Sequence, residues 1–191
     1  DAVELDVPEL TLGQVFNGSF SGGQPQYFKV RVAANEALRF TLDGPGDDVA
    51  HDMFVGFNSV PSRSQNLAGT GELFTPDPVV TIPSTEAGVY YLRIDPSPQG
   101  SGSFSLRASL VPFSLDRVRE STVGNRGEAT VRSDGTLFTA DTRFELVGAD
   151  GSVYRAVELN LKDAGRAFAT FDLFGASAGS YTLRALRETT G

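Results

Sequence analysis

The chain has 191 residues, a length that suits one large domain or two of ordinary size. Its net charge of -8 argues against binding to nucleic acid, and its 2 lysines argue against a polybasic membrane patch. Without cysteine it forms no disulfide and offers no thiolate to a metal or substrate. No apolar run has the length of a membrane span, and no signal peptide precedes Asp1, so we expect a mature or excised fragment if the parent protein is exported.

The first half alternates apolar and polar residues with the period of a β-strand that is buried on one side. Gly-, Pro- and Ser-rich turns separate the alternating segments, and a hairpin connection is predicted over 33–37 and a long loop over 58–77. The predicted strands cover 27–32, 38–42, 53–57, 79–82, 89–94 and 104–110. Many short strands with turns at this spacing indicate a β-sandwich or barrel.

The alternation restarts after Val111-Pro112, which predicts a boundary between two modules. Strands follow near 113–118, 127–133, 143–148, 153–161, 167–173 and 180–187. The pairs Asp134-Gly135 and Asp150-Gly151 favour hairpin turns, and Asp163-Ala-Gly165 marks another turn. Net charge also changes at the boundary, from -7 over residues 1–111 to -1 over residues 112–191. We therefore predict an all-β fold of two antiparallel β-sandwiches in tandem, joined semi-rigidly because proline restricts the junction.

One short pattern occurs in both halves. Ala87-Gly-Val-Tyr-Tyr-Leu-Arg93 reappears as Ala178-Gly-Ser-Tyr-Thr-Leu-Arg184. A glycine that ends a turn and a tyrosine that opens a strand are typical of a tyrosine corner, in which the hydroxyl bonds to the backbone of the preceding loop. The echo indicates Ig-like sandwiches in both halves, either by common ancestry or by convergence on a good way to begin a strand.

Several pieces of the first half, in order, resemble the bacterial pre-peptidase C-terminal (PPC) domain over residues 10–110. They are Leu12-Gly13, Tyr27-Phe-Lys-Val30, Leu38-Arg-Phe-Thr-Leu-Asp-Gly-Pro45, Asp52-Met-Phe-Val55, Val60-Pro-Ser-Arg63, Gly88-Val-Tyr-Tyr-Leu92 and Gly102-Ser-Phe-Ser-Leu106. The resemblance implies a jelly-roll-like sandwich that accompanies other domains in secreted proteins, some relatives binding calcium, collagen or insoluble polysaccharide. Residues 113–187 are similar to a generic Ig-like or TIG-like module of bacterial extracellular proteins.

Catalysis has few candidate residues. His51 is the one histidine, it lies in an acidic, Gly- and Pro-rich segment, and we interpret it as an exposed loop residue rather than a catalytic base. No G-x-S-x-G motif accompanies it. A hydrolase with a pair of carboxylates stays open as an alternative, although no deep-cleft scaffold is evident.

Four aspartates suggest a calcium site. Asp43, Asp47, Asp48 and Asp52 lie within ten residues, in a loop that also holds Gly and Pro. The calcium-binding relatives also take ligands from the segment before the first strand, which here offers Glu4, Asp6 and Glu9. The alternative interpretation is a solvated acidic turn.

Tyrosines are the candidate ligand contacts. Tyr90 and Tyr91 are neighbours, so one of the two rings points away from the core, and Tyr27 lies on the polar side of its strand. Such rings stack on sugars in polysaccharide-binding modules, or they pack against neighbouring strands. By the same parity, at most one of Phe54 and Phe57 belongs to the core.

Arginines in the second half form a mixed-charge group with two glutamates. They are Arg117, Arg119, Arg126 and Arg132, beside Glu120 and Glu128. We interpret this group as a solvated face that limits edge pairing, with a docking surface for a neighbouring module as the alternative.

The sequence thus favours a non-catalytic accessory or spacer module of a secreted or surface bacterial protein. It would position neighbouring domains of its own polypeptide or contact an extracellular polysaccharide or protein, as a monomer, without nucleic acid and without membrane insertion. A dedicated carbohydrate- or protein-binding module, calcium-dependent or not, is the second hypothesis, and a carboxylate-pair hydrolase is the third.

Overall fold

The computed structural model describes residues 7–21, 23–46, 49–70, 75–98 and 100–187. Every regular element in these ranges is a β-strand, and the strands pair antiparallel, so the predicted all-β sandwich fold is confirmed. No helix long and apolar enough to cross a membrane occurs in the part of the chain that the structure describes. The chain divides into two compact units, Asp1–Val111 and Pro112–Gly191.

The first unit is a sandwich of two four-stranded sheets. Its strands are β1 (Val15–Phe20), β2 (Gln26–Val32), β3 (Ala37–Asp43), β4 (His51–Phe57), β5 (Ala68–Gly69), β6 (Val79–Ile82), β7 (Gly88–Pro96) and β8 (Gly102–Val111). One sheet has the order β1-β8-β3-β6 and the other the order β2-β7-β4-β5. Both contribute their inward residues to a single apolar core, which provides most of the stability by removing apolar surface from water.

Strand β1 is absent from the sequence prediction, and its composition explains why. Its second position toward the core is Gly18, where a Cβ atom would meet the ring of Phe104. Phe20 completes the strand and stacks on Phe104 with ring centroids 4.3 Å apart. A glycine in an inward position interrupts the apolar alternation by which strands are found.

The hairpin predicted over 33–37 is wrong, because β2 and β3 belong to different sheets. The chain crosses between the sheets at Asn35, whose φ of 63° is left-handed. Buried Thr85 holds the crossing: its hydroxyl donates to the carbonyl of Ala33 at 2.6 Å and accepts from the backbone N–H of Glu36 at 3.2 Å. The predicted loop over 58–77 contains the two-residue strand β5.

The second unit is built from one six-stranded antiparallel sheet. Its strands are β9 (Ser114–Val118), β10 (Glu128–Thr136), β11 (Arg143–Gly148), β12 (Val153–Asp163), β13 (Arg166–Asp172) and β14 (Tyr181–Leu186), in the order β14-β11-β12-β13-β10-β9. The first residues of β12 pair with β11 and the rest pair with β13. Strand β12 therefore joins the two halves of the sandwich, which are β14 with β11 and β13 with β10 and β9. The inward residues of both halves form one core, which includes Phe138, Phe144 and Phe171.

The two Asp-Gly pairs have different roles. Asp150-Gly151 forms the turn between β11 and β12, with Gly151 at φ 82°, as predicted. The turn predicted at Asp134-Gly135 is wrong, since both residues lie inside β10, where the pairing with β9 shifts register. A Cβ atom at Gly135 would collide with the carbonyl oxygen of Ser114, so glycine is needed here for the close approach of two strands.

Candidate functional site

The outer side of the sheet β2-β7-β4-β5 gathers aromatic and basic side chains. Alternation points Phe28 and Val30 into the core, so Tyr27, Lys29 and Arg31 of the same strand face outward. The outward residues of the adjacent strands include Phe54 of β4 and Tyr91 and Arg93 of β7. We call the set Tyr27, Lys29, Arg31, Phe54, Arg63, Tyr91 and Arg93 the tyrosine–arginine face.

Strand pairing brings these side chains into adjacent rows. Tyr27, Arg93 and Phe54 lie opposite one another across β2, β7 and β4, and Lys29 lies opposite Tyr91 in the next row. The guanidinium carbon of Arg93 is 5.9 Å from the centroid of the Tyr27 ring, a cation–π distance. Tyr27 and Tyr91 are both half-buried.

A buried carboxylate anchors two arginines of this face. The Asp95 side chain is only 3% exposed, and its two oxygens accept from Nε of Arg63 and Nε of Arg93, each at 2.6 Å. The hydrogen bond to Asp95 raises the pKa of Arg93, against the opposing effect of burial. The two charged hydrogen bonds compensate for the free-energy cost of burying the Asp95 carboxylate, and the carboxylate in turn fixes both guanidinium groups.

Arg63 reaches Asp95 from a loop that crosses the sheet. A Cβ atom at Gly56 would collide with the carbonyl oxygen of Ser59, so glycine lets residues 58–61 pass closely over β4. The hydroxyl of Ser62 accepts from the backbone N–H of Gln65 at 3.0 Å, and the side chain of Asn66 donates to the carbonyl of Ser62 at 3.2 Å. The Arg63 side chain itself remains 66% exposed.

The face concentrates the positive charge of an acidic unit. Residues 1–111 have 6 basic side chains, and 4 of these, Lys29, Arg31, Arg63 and Arg93, belong to the tyrosine–arginine face. Arg31 also forms an exposed ion pair with Glu9 at 3.5 Å. The other two bases, Arg39 and Arg107, lie on the opposite sheet.

The three candidate tyrosines lie on different sides of their sheet: Tyr27 and Tyr91 face outward, and Tyr90 faces the core. The prediction that one ring of the pair 90–91 points out is confirmed, and the outward ring is that of Tyr91. Tyr90 is 2% exposed and packs on Phe57 at 5.0 Å between ring centroids, so it is a core residue and not a ligand contact. Phe57 packs against the core and Phe54 faces outward, as parity predicts.

Tyrosine corners occur in both units. The Tyr90 hydroxyl accepts from the backbone N–H of Glu86 at 2.9 Å, and the Tyr181 hydroxyl donates to the carbonyl of Ser177 at 2.8 Å. Each bond spans four residues back along the chain. The interpretation of the repeated pattern as a tyrosine corner is confirmed.

The aspartates proposed to bind calcium are described only in part. Asp43 is exposed at the end of β3 and Asp52 is half-buried in β4, while Asp47 and Asp48 lie outside the described residues, as do Glu4 and Asp6. No cluster of three acidic or histidine side chains that could hold a metal ion occurs within 7–21, 23–46, 49–70, 75–98 and 100–187. The calcium site stays a prediction.

His51 is not the exposed loop residue that the sequence suggests. It opens β4, is 1% exposed and stacks on Phe20 with ring centroids 4.8 Å apart. Neither ring nitrogen has a hydrogen-bond partner among the described residues. Burial lowers the pKa of His51, and the nearby Asp77 and Asp52 only partly oppose this effect. A neutral imidazole inside the core is not placed to act on a substrate.

The second unit has its own arginine–carboxylate cluster, centred on Asp134. Arg119, Arg132 and Arg166 all donate to this carboxylate, at 3.0 to 3.3 Å. Burial by itself would raise the pKa of Asp134, but the three arginine hydrogen bonds lower it overall. Of the predicted mixed-charge group, Arg119 and Arg132 belong to this cluster. Arg117 is exposed in the position opposite Asp134 on β9, and Arg126 is exposed in the loop before β10. Asp134 and Arg166 could not be recognised as partners from the sequence, because they lie on two strands that only the fold brings together.

Comparisons with known proteins assign no family to this chain. No family model matches the chain, and no curated protein matches it. Among solved structures, the pre-peptidase C-terminal domain of a collagenase from Bacillus anthracis is 14% identical, with a TM-score of 0.45, and the match covers 56% of this chain and 99% of that chain. PliG of Aeromonas hydrophila, a periplasmic inhibitor of g-type lysozyme, is 13% identical with a TM-score of 0.42, over 55% of this chain and 96% of that chain. The family resemblance of residues 10–110 stays a prediction.

Proposed function

We propose that the chain is a non-catalytic binding module of a secreted or surface protein, and that its tyrosine–arginine face binds an acidic extracellular polymer. One observation carries this proposal. Four of the six basic side chains of the first unit share one sheet face with two tyrosines, in a unit with a net charge of -7. The strands of the opposite sheet carry only the other two basic residues, Arg39 and Arg107, and no tyrosine.

The chemistry of the face suits carboxylated sugars. An arginine side chain binds a carboxylate with paired N–H donors, and Lys29 adds a point charge in the next row. Tyrosine rings offer an apolar surface with a polar edge, which matches the two faces of a sugar ring. The row of Tyr27, Arg93 and Phe54 therefore presents contacts for both the ring and the charge of such a polymer.

The anchoring carboxylate favours binding without rearrangement. Because Asp95 already holds the guanidinium groups of Arg63 and Arg93, ordering these long side chains on a ligand costs less conformational entropy. The cross-strand rows also fix the spacing of the tyrosines. A single face of this size binds weakly, and repeated modules along a polymer would increase the avidity.

No catalytic step is part of the proposal. The buried, neutral environment of His51 does not suit a base that must reach a substrate. The main alternative is a spacer that positions neighbouring domains and binds no polymer. The two hypotheses differ in one respect that is easily measured, since only a binding module has a surface whose substitution changes retention on a polymer.

Affinity electrophoresis on polygalacturonate, a carboxylated polysaccharide, tests the proposal, with neutral dextran as the comparison matrix. We expect retardation on polygalacturonate only, weakening as salt is raised. Arg63→Gln should reduce the affinity by about tenfold, because it removes a charged hydrogen-bond donor. The double variant Tyr27→Ser/Tyr91→Ser should reduce it by a similar factor while leaving the net charge unchanged.

Arg107→Gln is the matched control, since it removes the same charge from an exposed position on the opposite sheet. It should leave the retardation unchanged, and circular dichroism should show each variant folded. If Arg63→Gln and Arg107→Gln lose the same amount of retardation, the binding depends only on the net charge of the chain and not on the tyrosine–arginine face. No retardation of the unmodified chain on any acidic or neutral polymer would favour the spacer.

Calcium dependence is a separate part of the proposal. Asp43, Asp47, Asp48 and Asp52 could supply hard oxygen ligands, and a bound ion would stabilise the folded first unit by mass action. Thermal unfolding in excess calcium and in chelator tests this, with Asp47→Asn/Asp52→Asn as the variant. A midpoint that is the same in calcium and chelator would contradict a calcium site without affecting the polymer proposal.

A further inference from the structure

The two ends of the six-stranded sheet leave an opening in the second unit. Among the described residues, β14 pairs only with β11 and β9 pairs only with β10, so each has a free edge. A cleft of about 780 Å³ lies where the end of β9 approaches β14. The residues that line it all belong to the second unit and to described parts of the chain.

The cleft exposes the core of the unit rather than a polar surface. Val131, Leu146 and Leu173 form its floor, each less than a tenth exposed, and Leu183 of β14 forms one wall. Serine, threonine and glycine residues of the loops 119–127 and 173–180 surround the opening. The side chain of Asn125 donates to the carbonyl of Ala176 at 2.8 Å and so links the two loops.

The first unit shows what such an edge looks like when it is occupied. Strand β7 carries the same Tyr-x-Leu-Arg pattern as β14, but it pairs with β2 along one edge and with β4 along the other. Tyr90 and Leu92 are consequently 2% and 0% exposed, whereas Tyr181 and Leu183 remain half-buried. The difference corresponds to one missing strand beside β14.

We propose that the opening beside β14 binds an extended polypeptide strand, supplied from outside residues 1–191, whose alternate apolar side chains enter the cleft. The strand would run antiparallel to β14. Unpaired backbone groups on the free edge of β14 supply the hydrogen bonds, and the cleft selects the side chains.

The charge on the outer side of β14 also restricts the sequence of the strand that would bind beside it. Arg184 is exposed between Thr182 and Leu186 on the surface that points away from the core. A strand with an acidic residue at the outward position opposite Arg184 would gain a cross-strand ion pair, and a basic residue there would be repelled. The ligand is thus an extended segment with apolar residues inward and an acidic residue outward. This site does not depend on the proposed polymer-binding face.

Hydrogen exchange of the 191-residue chain tests the proposal with a synthetic peptide. The probe has seven residues, with valine at the second, fourth and sixth positions, glutamate at the third, threonine elsewhere, and both termini blocked. We expect saturable protection of β14 amides by more than about tenfold, because backbone pairing removes them from solvent. A peptide of the same composition with its three valines adjacent should give no protection.

Two variants distinguish strand pairing from unspecific apolar binding. Leu183→Glu places a carboxylate in the cleft and should abolish protection. Arg184→Glu changes an exposed residue opposite Glu145 of β11. It should weaken binding of the glutamate peptide by about threefold and strengthen binding of a peptide with lysine at the third position. The second variant keeps the test valid if the first fails to fold.

Three results would overturn the proposal. One is equal protection by the peptide with adjacent valines, which would indicate an unspecific apolar pocket. Another is β14 protection that rises with protein concentration in the absence of peptide, together with dimers in sedimentation velocity, which would identify a second copy as the occupant. The third is the absence of any β14 protection at millimolar peptide.

Discussion

The same four-residue pattern, Tyr-x-Leu-Arg, has a different environment in each unit. In the first unit it lies on β7, inside a sheet with partners on both sides, and its inward side chains are fully buried. In the second unit it lies on β14 at a sheet edge, and its inward side chains are half-exposed. Both tyrosines still form the corner bond four residues back. The local pattern thus determines how the strand begins, and the number of neighbouring strands determines how much it stabilises.

Shortening the equivalent leucines of the two units should have the largest effect. Leu92→Ala should destabilise the first unit by about 2–5 kcal/mol, because it leaves a cavity in a closed core. Leu183→Ala should cost the second unit less than about 2 kcal/mol, since its side chain already borders the cleft. Chemical denaturation of both variants measures the difference, and equal losses would contradict an open edge at β14.

A smaller effect is expected from the corner hydroxyls. Tyr90→Phe leaves the half-buried backbone N–H of Glu86 without its acceptor and should cost about 1–2 kcal/mol. Tyr181→Phe removes a bond to the exposed carbonyl of Ser177, which water can replace, and should cost less than about 1 kcal/mol. The two single variants serve as controls for one another. A larger loss for Tyr181→Phe would mean that the second corner is the more buried.

The smallest effect is a pH dependence confined to the first unit. Burial lowers the pKa of His51, so the unfolded chain binds a proton more tightly than the folded chain does. Stability of the first unit should be complete above pH of about 6.5 and should decline as the pH falls below this value toward the lowered pKa. Thermal unfolding between pH 7.5 and pH 5 measures this decline.

His51→Phe should remove the decline, because phenylalanine fills the same stacked position beside Phe20 without a titrating group. The second unit, which has no histidine, provides the internal control, and its transition should not respond in this range. A decline of the same size in His51→Phe would assign the effect to other groups.

Period-two alternation predicted most strands to within a few residues, including β2, β7 and β13. The same alternation favours burial of His51, since position 51 is in phase with the inward residues Met53 and Val55. The local acidic context of His51 suggested exposure instead. Local polarity is a weaker indicator than parity when a strand begins inside a polar segment.

Features that depend on distant parts of the chain could not be predicted. Asp95 is outward by parity, yet it is buried, and one of its two arginine partners, Arg63, reaches it from a loop 32 residues away. The crossing at Asn35 depends on Thr85, and the bulge at Gly135 depends on the backbone of Ser114. The tyrosine–arginine face was predicted in part, through Tyr27 and Tyr91, whereas its arginines require the strand register.

The central functional claim is that the first unit binds an acidic polymer through its tyrosine–arginine face. The most direct measurement is a titration of the isotope-labelled 191-residue chain with oligogalacturonate, followed by amide chemical shifts in NMR spectra. We expect saturable shifts on β2 and β7 around Tyr27, Tyr91 and Arg93, with β3, β8 and β14 unchanged. Shifts centred on another surface, or none at millimolar oligosaccharide, would contradict the claim.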